Sequence, residues 1–350
     1  MNENNDKPEQ QNGSDDLYER FVIKIDKGQE PLRIDKFLMS RIEGATRNKI
    51  QQAINAGFVM VNKNTVKQNY KVKALDEIVV YSDMSPEETE VVPEKIPLNI
   101  VYEDDDVIVI NKPPGMVVHP GSGNYSGTLL NGAAWYMLQK DPSLNEEKLP
   151  RYGLVHRIDK NTSGLLLMAK NSRAMSQLAR QFYDHTVKRK YVALVWGDVK
   201  NDKGTITAHI GRNLRRRKLF EAYPGGEHGK EAITHYKVME RFNYVTLLEC
   251  VLETGRTHQI RVHMKYMGYP VFNDEFYGGD KIVKGTVFAK YRQFVENCFA
   301  ICPRHALHAK TLGFLHPRTK NEMFFDTDLP ADMKLLIEKW RRYVSTRSSD

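Results

Sequence analysis

From Leu32 onward, apolar positions recur at helical spacing: Ile34, Phe37, Leu38 and Ile42 predict one helix. Thr46 is placed to cap a second helix carrying Ile50, Ala53 and Ile54 and stopping near Gly57. Phe58 to Val61 then reads as a strand, Asn62-Lys63-Asn64 as a turn, and Ile78 to Tyr81 as a further strand. Two one-sided helices followed by short strands need a shared core, so residues 17–84 are expected to form a small domain. Arg33, Lys36, Arg47 and Lys49 fall on or beside its helices, away from the apolar stripe, where they can meet phosphates.

The pattern then breaks. Asp83, Glu87, Glu88, Glu90 and Glu94 are interspersed with Pro86, Pro93 and Pro97, a composition that repels itself, and residues 85–97 are expected to be a linker. Residues 98–350 form the second expected domain. Val107 to Ile110 is a buried strand running into Asn111-Lys112-Pro113-Pro114-Gly115. Two more uncharged runs, Gly153 to Val155 and Leu165 to Ala169, read as buried strands around a polar turn that presents Asp159. Ser172 is placed to cap a helix with Met175, Leu178, Ala179 and Phe182 on one face, and Tyr191 to Val195 is another core strand. Thr257 is placed to cap a helix with Ile260, Met264 and Met267, stopped by Gly268, leaving His258, Arg261 and Lys265 on a different face. Strands and helices mix without βαβ alternation, which predicts α+β architecture, and no phosphate-loop glycine pattern is present.

Charge sharpens the picture. The formal net charge is +8, but residues 1–16 carry about −4, so the remainder holds about +12. That acidic, polar tail lacks large apolar side chains and is expected to be disordered. Basic clusters at Lys188-Arg189-Lys190 and from Arg212 to Lys218 favour a polyanionic partner. Cys250, Cys298 and Cys302 show no repeated ligand spacing, and no apolar N-terminal segment suggests a signal or membrane anchor, so a cytoplasmic protein without membrane contact is expected.

Four blocks carry a family resemblance: His156-Arg157-Ile158-Asp159 with Thr162-Ser163-Gly164-Leu165-Leu166; Lys190-Tyr191 through Trp196-Gly197; Thr254 through His263; and Ala306-Leu307-His308-Ala309 ahead of Phe314-Leu315-His316-Pro317. In this order they resemble the RluA/RluD family of RNA pseudouridine synthases, from roughly Arg33 to the last helix. The first module is similar to the S4 RNA-binding domain. Ile158, Asn273 and His305 stand where the family usually has Leu, Gly and Gln. The layout is closest to members that modify large-subunit (23S) ribosomal RNA. The resemblance implies a catalytic domain on a mixed, mainly antiparallel sheet with flanking helices. It also implies isomerisation of uridine to pseudouridine, with Asp159 as nucleophile, Arg261 pairing with it, and Tyr191 stacking on the base. Arg157 would occupy the space the base leaves, and Leu307 would pack against base and tyrosine. Since the reaction adds and removes nothing, no cofactor, metal or nucleotide is expected.

Two other readings compete with this one. A metal enzyme would use His156, His258, His263, His305 or His308, but His258 and His263 point to different helix faces, and His305 and His308, which could share a face, lack a convincing third ligand. A noncatalytic RNA-binding protein is disfavoured because Asp159, Tyr191 and Arg261 are all intact. Another RNA, such as tRNA, is the alternative substrate.

Overall fold

The structure, a computed structural model, describes residues 18–42, 45–55, 57–82, 91–121, 124–213, 216, 219–286 and 288–346. The expected disordered tail, residues 85–90 of the expected linker and most of the Arg212 to Lys218 cluster lie outside them. The chain divides into two units: one ends at Val91 and takes in Pro120–Tyr125, the other holds Val92–His119 and continues from Ser126.

The first unit contains strands β1 (Tyr18–Lys24) and β2 (Leu32–Arg33), helices α1 (Ile34–Arg41) and α2 (Arg47–Asn55), and strands β3 (Val59–Val61), β4 (Asn64–Thr65), β5 (Lys71–Val72) and β6 (Glu77–Ser82). β1, β6, β3 and β4 lie side by side in one sheet, and β2 pairs β5. The helical stripe behaves as its spacing predicts, with Ile34, Phe37, Leu38, Ile50 and Ile54 in one core with Val59, Val61 and Ile78. The hairpin between β3 and β4 turns through left-handed Asn62 and Lys63, φ 48° and 66°, as a two-residue turn requires. β1 went unpredicted: its Phe21 and Val22 are exposed, so no inward alternation marks it. Beneath the helices, fully buried Asp35 accepts from Arg33 at 3.1 and 3.0 Å, Arg47 at 3.4 Å and Gln51 at 3.0 Å. One carboxylate therefore holds two of the four basic residues in place. Lys36 is exposed beside them; Lys49 lies in α2, its side chain outside what the structure describes.

The second unit begins with the end of the expected linker, which is tied down: Glu94 N–H donates to Asn131 O and the Glu94 carboxylate accepts Gly127 N–H. It contains β7 (Ile100–Glu103), β8 (Val107–Lys112), α3 (Leu129–Lys140), β9 (Ser163–Ala169), α4 (Ser172–Tyr183), β10 (Lys188–Trp196), β11 (Lys203–Arg212), β12 (Phe220–Tyr223), β13 (Lys230–Arg241), β14 (Val245–Leu252), α5 (Gln259–Tyr266), α6 (Ala289–Ile301), β15 (Leu307–Leu315), β16 (Glu322–Asp326) and α7 (Ala331–Ser345). Ten strands form one sheet in the order β12-β11-β13-β14-β10-β15-β9-β8-β7, with β16 added on β15. Among the described residues only the β15 to β9 pairing is parallel, so the α+β architecture on a mixed, mainly antiparallel sheet holds. α6 and α7 pack Tyr291, Val295, Leu336 and Trp340 against Leu194, Trp196 and Leu247 of the sheet. Elsewhere α4 packs Ala174 and Leu178 against β8, β9 and β15. No helix among the described residues is long and apolar enough to cross a membrane.

Three local expectations change. Gly153 to Val155 is not a strand. Arg151, Tyr152 and Gly153 all take positive φ at the end of a single helical turn, Pro150–Gly153, leaving only a bridge between Leu154 and Met168. His156 Nε2 then accepts Leu167 N–H at 2.8 Å, replacing the ladder bond a strand would have supplied. The cap of α4 is Asn171, one residue before Ser172, its side chain accepting Ala174 N–H. Thr257 does not cap α5 either: left-handed His258 occupies that position, and Gln259 Oε1 accepts Arg256 N–H instead.

Candidate active site

The chain before β9, from Val155 to Thr162, contributes one wall of a cleft of about 630 Å³. Asp159, Tyr191, Arg261, Arg157 and Leu307 all line it. Arg33, Lys36, Arg47 and Lys49 belong to the first unit and not to this cleft.

Asp159 opens a turn closed by its own carbonyl, which accepts Thr162 N–H at 3.1 Å. Four ties from outside fix residues 160 to 163. Lys112 Nζ donates to Lys160 O at 2.9 Å, Arg304 Nη1 donates to Asn161 O at 2.9 Å, His305 Nε2 meets Thr162 Oγ1 at 2.8 Å, and His308 Nδ1 meets Ser163 Oγ at 2.9 Å. Lys112 is itself completely buried, and its other hydrogens go to Pro113 O and Met116 O. Burial pulls its ammonium down to about 7, while three carbonyl acceptors call for all three N–H bonds. Arg304 is anchored in turn by Asp332 at the start of α7, at 2.7 and 3.1 Å. The nucleophile candidate thus stands on a turn braced by β8, β15, the segment before β15, and α7.

Arg261, on α5, is buried. Its Nη1 donates to Asp159 Oδ2 at 2.9 Å, while Nε and Nη2 grip Asp274 at 2.7 and 2.9 Å. Asp274, also buried, accepts from the backbone N–H groups of Phe276 and Tyr277. Asp159 Oδ1 lies 3.9 Å from His258 Nε2. Burial pushes the Asp159 carboxyl up, but the neighbouring charges of His258, Arg261 and His305 and the Arg261 hydrogen bond outweigh it, holding the group below its ordinary value. His305 is itself pushed down to about 3, and His258 is lowered too, both chiefly by burial, so at neutral pH Arg261 carries this attraction. Asp159 is therefore a carboxylate there, with one oxygen fixed by Arg261.

Tyr191, on β10, is buried against the same space. Burial raises its phenol above the ordinary value; Arg189 opposes this and Asp159 adds to it, so the ring enters neutral chemistry as a protonated phenol. His258 has φ 56°, a conformation that costs free energy for a residue with a side chain, and its Nδ1 meets Tyr277 Oη at 2.7 Å. Asn273, where the family usually has Gly, also has positive φ, 57°, which asparagine tolerates well; its side-chain amide donates to Cys302 O.

Sequence reasoning missed Asp274, Lys112, Arg304 and the ring contacts of His305 and His308. Asp274 lies among Asn, Gly and aromatic residues, where an aspartate is indistinguishable from an ordinary turn former. Lys112 carried the clearer signal, since a lysine closing an unbroken apolar strand has no solvated side to turn to. The histidines weighed as metal ligands have protein partners: Leu167, Tyr277, Thr234, Thr162 and Ser163 for His156, His258, His263, His305 and His308. A different group, Asp104, Asp106 and His316, comes together away from the cleft, with Arg318 on Asp106 at 2.8 Å.

The family model for RNA pseudouridylate synthase matches residues 106–266, and that for the S4 domain matches residues 32–78. The chain is 44% identical over 330 residues to an uncharacterized RNA pseudouridine synthase of Chlorobaculum parvum, covering 94% of this chain and all of the relative. It is 38% identical over 329 residues to the ribosomal large subunit pseudouridine synthase D of Nitrosomonas europaea, covering 94% and 90% of the two chains. A solved structure, human RNA pseudouridylate synthase domain containing 4, superposes with a TM-score of 0.55 at 21% identity, over 69% of this chain and 93% of that one, and supports the fold. The full-length match joins the S4 module, the sheet and the aspartate cleft in a single relationship: the chain belongs to the RNA pseudouridine synthases, enzymes that isomerise uridine to pseudouridine in RNA.

Proposed function

We propose that Asp159 reacts at C1′ of a flipped uridine, with large-subunit ribosomal RNA as the substrate. The observation that carries the first part is the asymmetry of the carboxylate: Arg261 claims Oδ2, while Oδ1 lies 3.9 Å from His258 Nε2 in a side chain that lines the cleft together with Tyr191. A fixed anion at that position either attacks C1′ or assists loss of the base as a glycal forms; in both routes N1–C1′ breaks and C5 later bonds to C1′. Tyr191 stacks on the freed uracil and Leu307 closes its other side. The raised phenol favours its acidic form, so any role as general base must be played within the transition state. Arg157, exposed at the cleft, occupies the gap the base leaves, since unstacking costs a few kcal/mol.

The ribosomal target rests on the names of relatives such as the Nitrosomonas europaea enzyme. The S4 segment, residues 17–84, adds phosphate contacts through Arg33, Lys36, Arg47 and Lys49, joined by 85–97 to a catalytic domain of residues 98–350 in a cytoplasmic enzyme. The test is release of the C5 hydrogen of uridine. Asp159→Asn keeps shape but loses the nucleophile, so release stops while RNA affinity stays within a few-fold; sustained release by pure variant removes Asp159 from this role. Mapping pseudouridine in ribosomal RNA and tRNA with and without the protein decides the substrate.

A further inference from the structure

The cluster Lys188-Arg189-Lys190 is not one basic patch. β10 alternates its side chains, and Lys188 and Lys190 leave on one face, each toward a carboxylate: Glu322 at 3.7 Å and Glu249 at 3.2 Å. Arg189 leaves on the other, the face of Tyr191, and lines the cleft. It is only 8% exposed, and among the described residues its guanidinium has no ion pair and no hydrogen bond, with Nε wholly enclosed and unsatisfied. Its neighbours supply no anion: the Phe182 ring lies 5.5 Å away, the chain at Gly255 passes so close that a Cβ there would sit 2.8 Å from Nη1, and the His156 imidazole and Tyr191 phenol share the lining.

A guanidinium stays charged in any protein interior, and an uncompensated buried charge is costly. Compensation from the ring face recovers only part of that. Nearby Arg261 shows the usual solution, two carboxylates on one guanidinium. Arg189 lacks such a partner and opens on the cavity where the substrate enters, so its partner comes with the substrate. The anions of RNA are its phosphates, and the planar fork of arginine matches a phosphate's paired oxygens. A base carbonyl would accept a hydrogen bond but leave the charge uncompensated.

We propose that Arg189 binds a backbone phosphodiester of the target nucleotide, completing its own ion pair only when the uridine is in the cleft. The proposal rests on the reading of this cleft as the uridine site. It also accounts for Gly255: any side chain there would push against the guanidinium.

The experiment compares full-length wild type with Arg189→Gln and Arg189→Met on ribosomal RNA, scoring binding across a salt series together with C5-hydrogen release. Loss of a charged hydrogen-bond partner raises KM about tenfold or more, with the change in kcat much smaller, and reduces the slope of log affinity against log salt by about 0.7. Methylphosphonate substitution at the one sensitive linkage beside the target uridine reproduces the loss in wild type and adds little in Arg189→Gln. Without RNA, Arg189→Met unfolds at the same or a higher temperature, because a buried unpaired charge has been removed. Unchanged KM and salt slope, or a defect confined to kcat, overturns the proposal. Repeating the binding arm in Asp159→Asn keeps the two readings apart, since the phosphate contact survives there whether or not Asp159 is the nucleophile.

Discussion

Arg261 grips Asp274 through two of its nitrogens, at 2.7 and 2.9 Å, and leaves Nη1 for Asp159. Two carboxylates thus share one cation, and the deeper of them decides where the third nitrogen points. Arg261 comes from α5 and Asp274 from the loop that follows it, so a contact thirteen residues apart in sequence sets the geometry at a residue more than a hundred positions away.

Asp274→Asn should therefore damage catalysis without touching the reacting base. The amide keeps one acceptor but loses the charge and the second fork contact, freeing the guanidinium to rotate. We expect kcat to fall by about 10²-fold, the scale on which small misplacements act, with RNA affinity within a few-fold. Adding Arg261→Met to the variant should then cost far less than Arg261→Met costs alone, because the two act as one unit. Additive losses in single-turnover C5-hydrogen release would separate them.

The charge of Arg261 also sets where Asp159 titrates. With arginine present, the carboxyl lies below its ordinary value, so activity is complete through neutral pH and falls only as the pH drops through that low value. Arg261→Met removes the arginine's attraction and its hydrogen bond, leaving burial opposed only by the histidines, which raises the carboxyl. The acid limb of kcat against pH should then move upward, and part of the lost rate should return at alkaline pH. Arg261→Lys restores charge without the fork, so its acid limb should stay near the wild-type position while kcat remains reduced. Matching acid limbs for methionine and wild type would contradict this assignment.

Lys112 presents a stability test. Its three acceptors, Pro113 O, Met116 O and Lys160 O, have their donor in this one ammonium. Lys112→Met fits the volume of the stem but removes the donor that ties three part-buried carbonyls together, and should lower unfolding free energy by about 2 kcal/mol, measured in urea. Because Lys160 follows Asp159, the surviving folded fraction should also show reduced kcat. A variant of wild-type stability would mean that the carbonyls find other donors.

The parts of this fold written in sequence are those where one chain segment carries its own periodicity. The helices around Phe37, Ile50 and Leu178 obeyed their spacing, and the all-buried run of β9 announced a strand. The segment Gly153 to Val155 misled because an uncharged run does not say whether its backbone bonds are met by a ladder; here an imidazole meets one of them. At the site, Asp159, Tyr191 and Arg261 were legible through family resemblance. Asp274, Arg304 and Arg189 were not, since their meaning lies in who faces them across the fold. In a string, Arg189 is the middle of three basic residues; on a strand it is the one turned inward.

The division of labour between the units gives the last test. Asp35 is buried between Arg33 and Arg47 and holds both while each stays partly exposed, an arrangement that spends one carboxylate to orient two cations toward solvent. The neighbouring side chains hold Asp35 down to about 2 against the opposing effect of burial, so the arrangement persists throughout the physiological range. No residue of the cleft comes from this unit, and the cores of the two units are separate. Removing residues 1–84 should therefore leave a folded enzyme that still releases the C5 hydrogen from a short RNA but binds ribosomal RNA weakly. Deleting phosphate contacts also deletes released counterions, so the dependence of log affinity on log salt should flatten, by about 0.7 to 0.9 per lost contact. The truncated protein then depends more heavily on its remaining cleft cations, and Arg189→Gln should weaken its RNA binding further. The measurement is binding and turnover of both proteins across a salt series. Equal slopes and equal site choice would take the first unit out of substrate recognition, whereas loss of cooperative unfolding in the remainder would show that the second unit needs the first to fold.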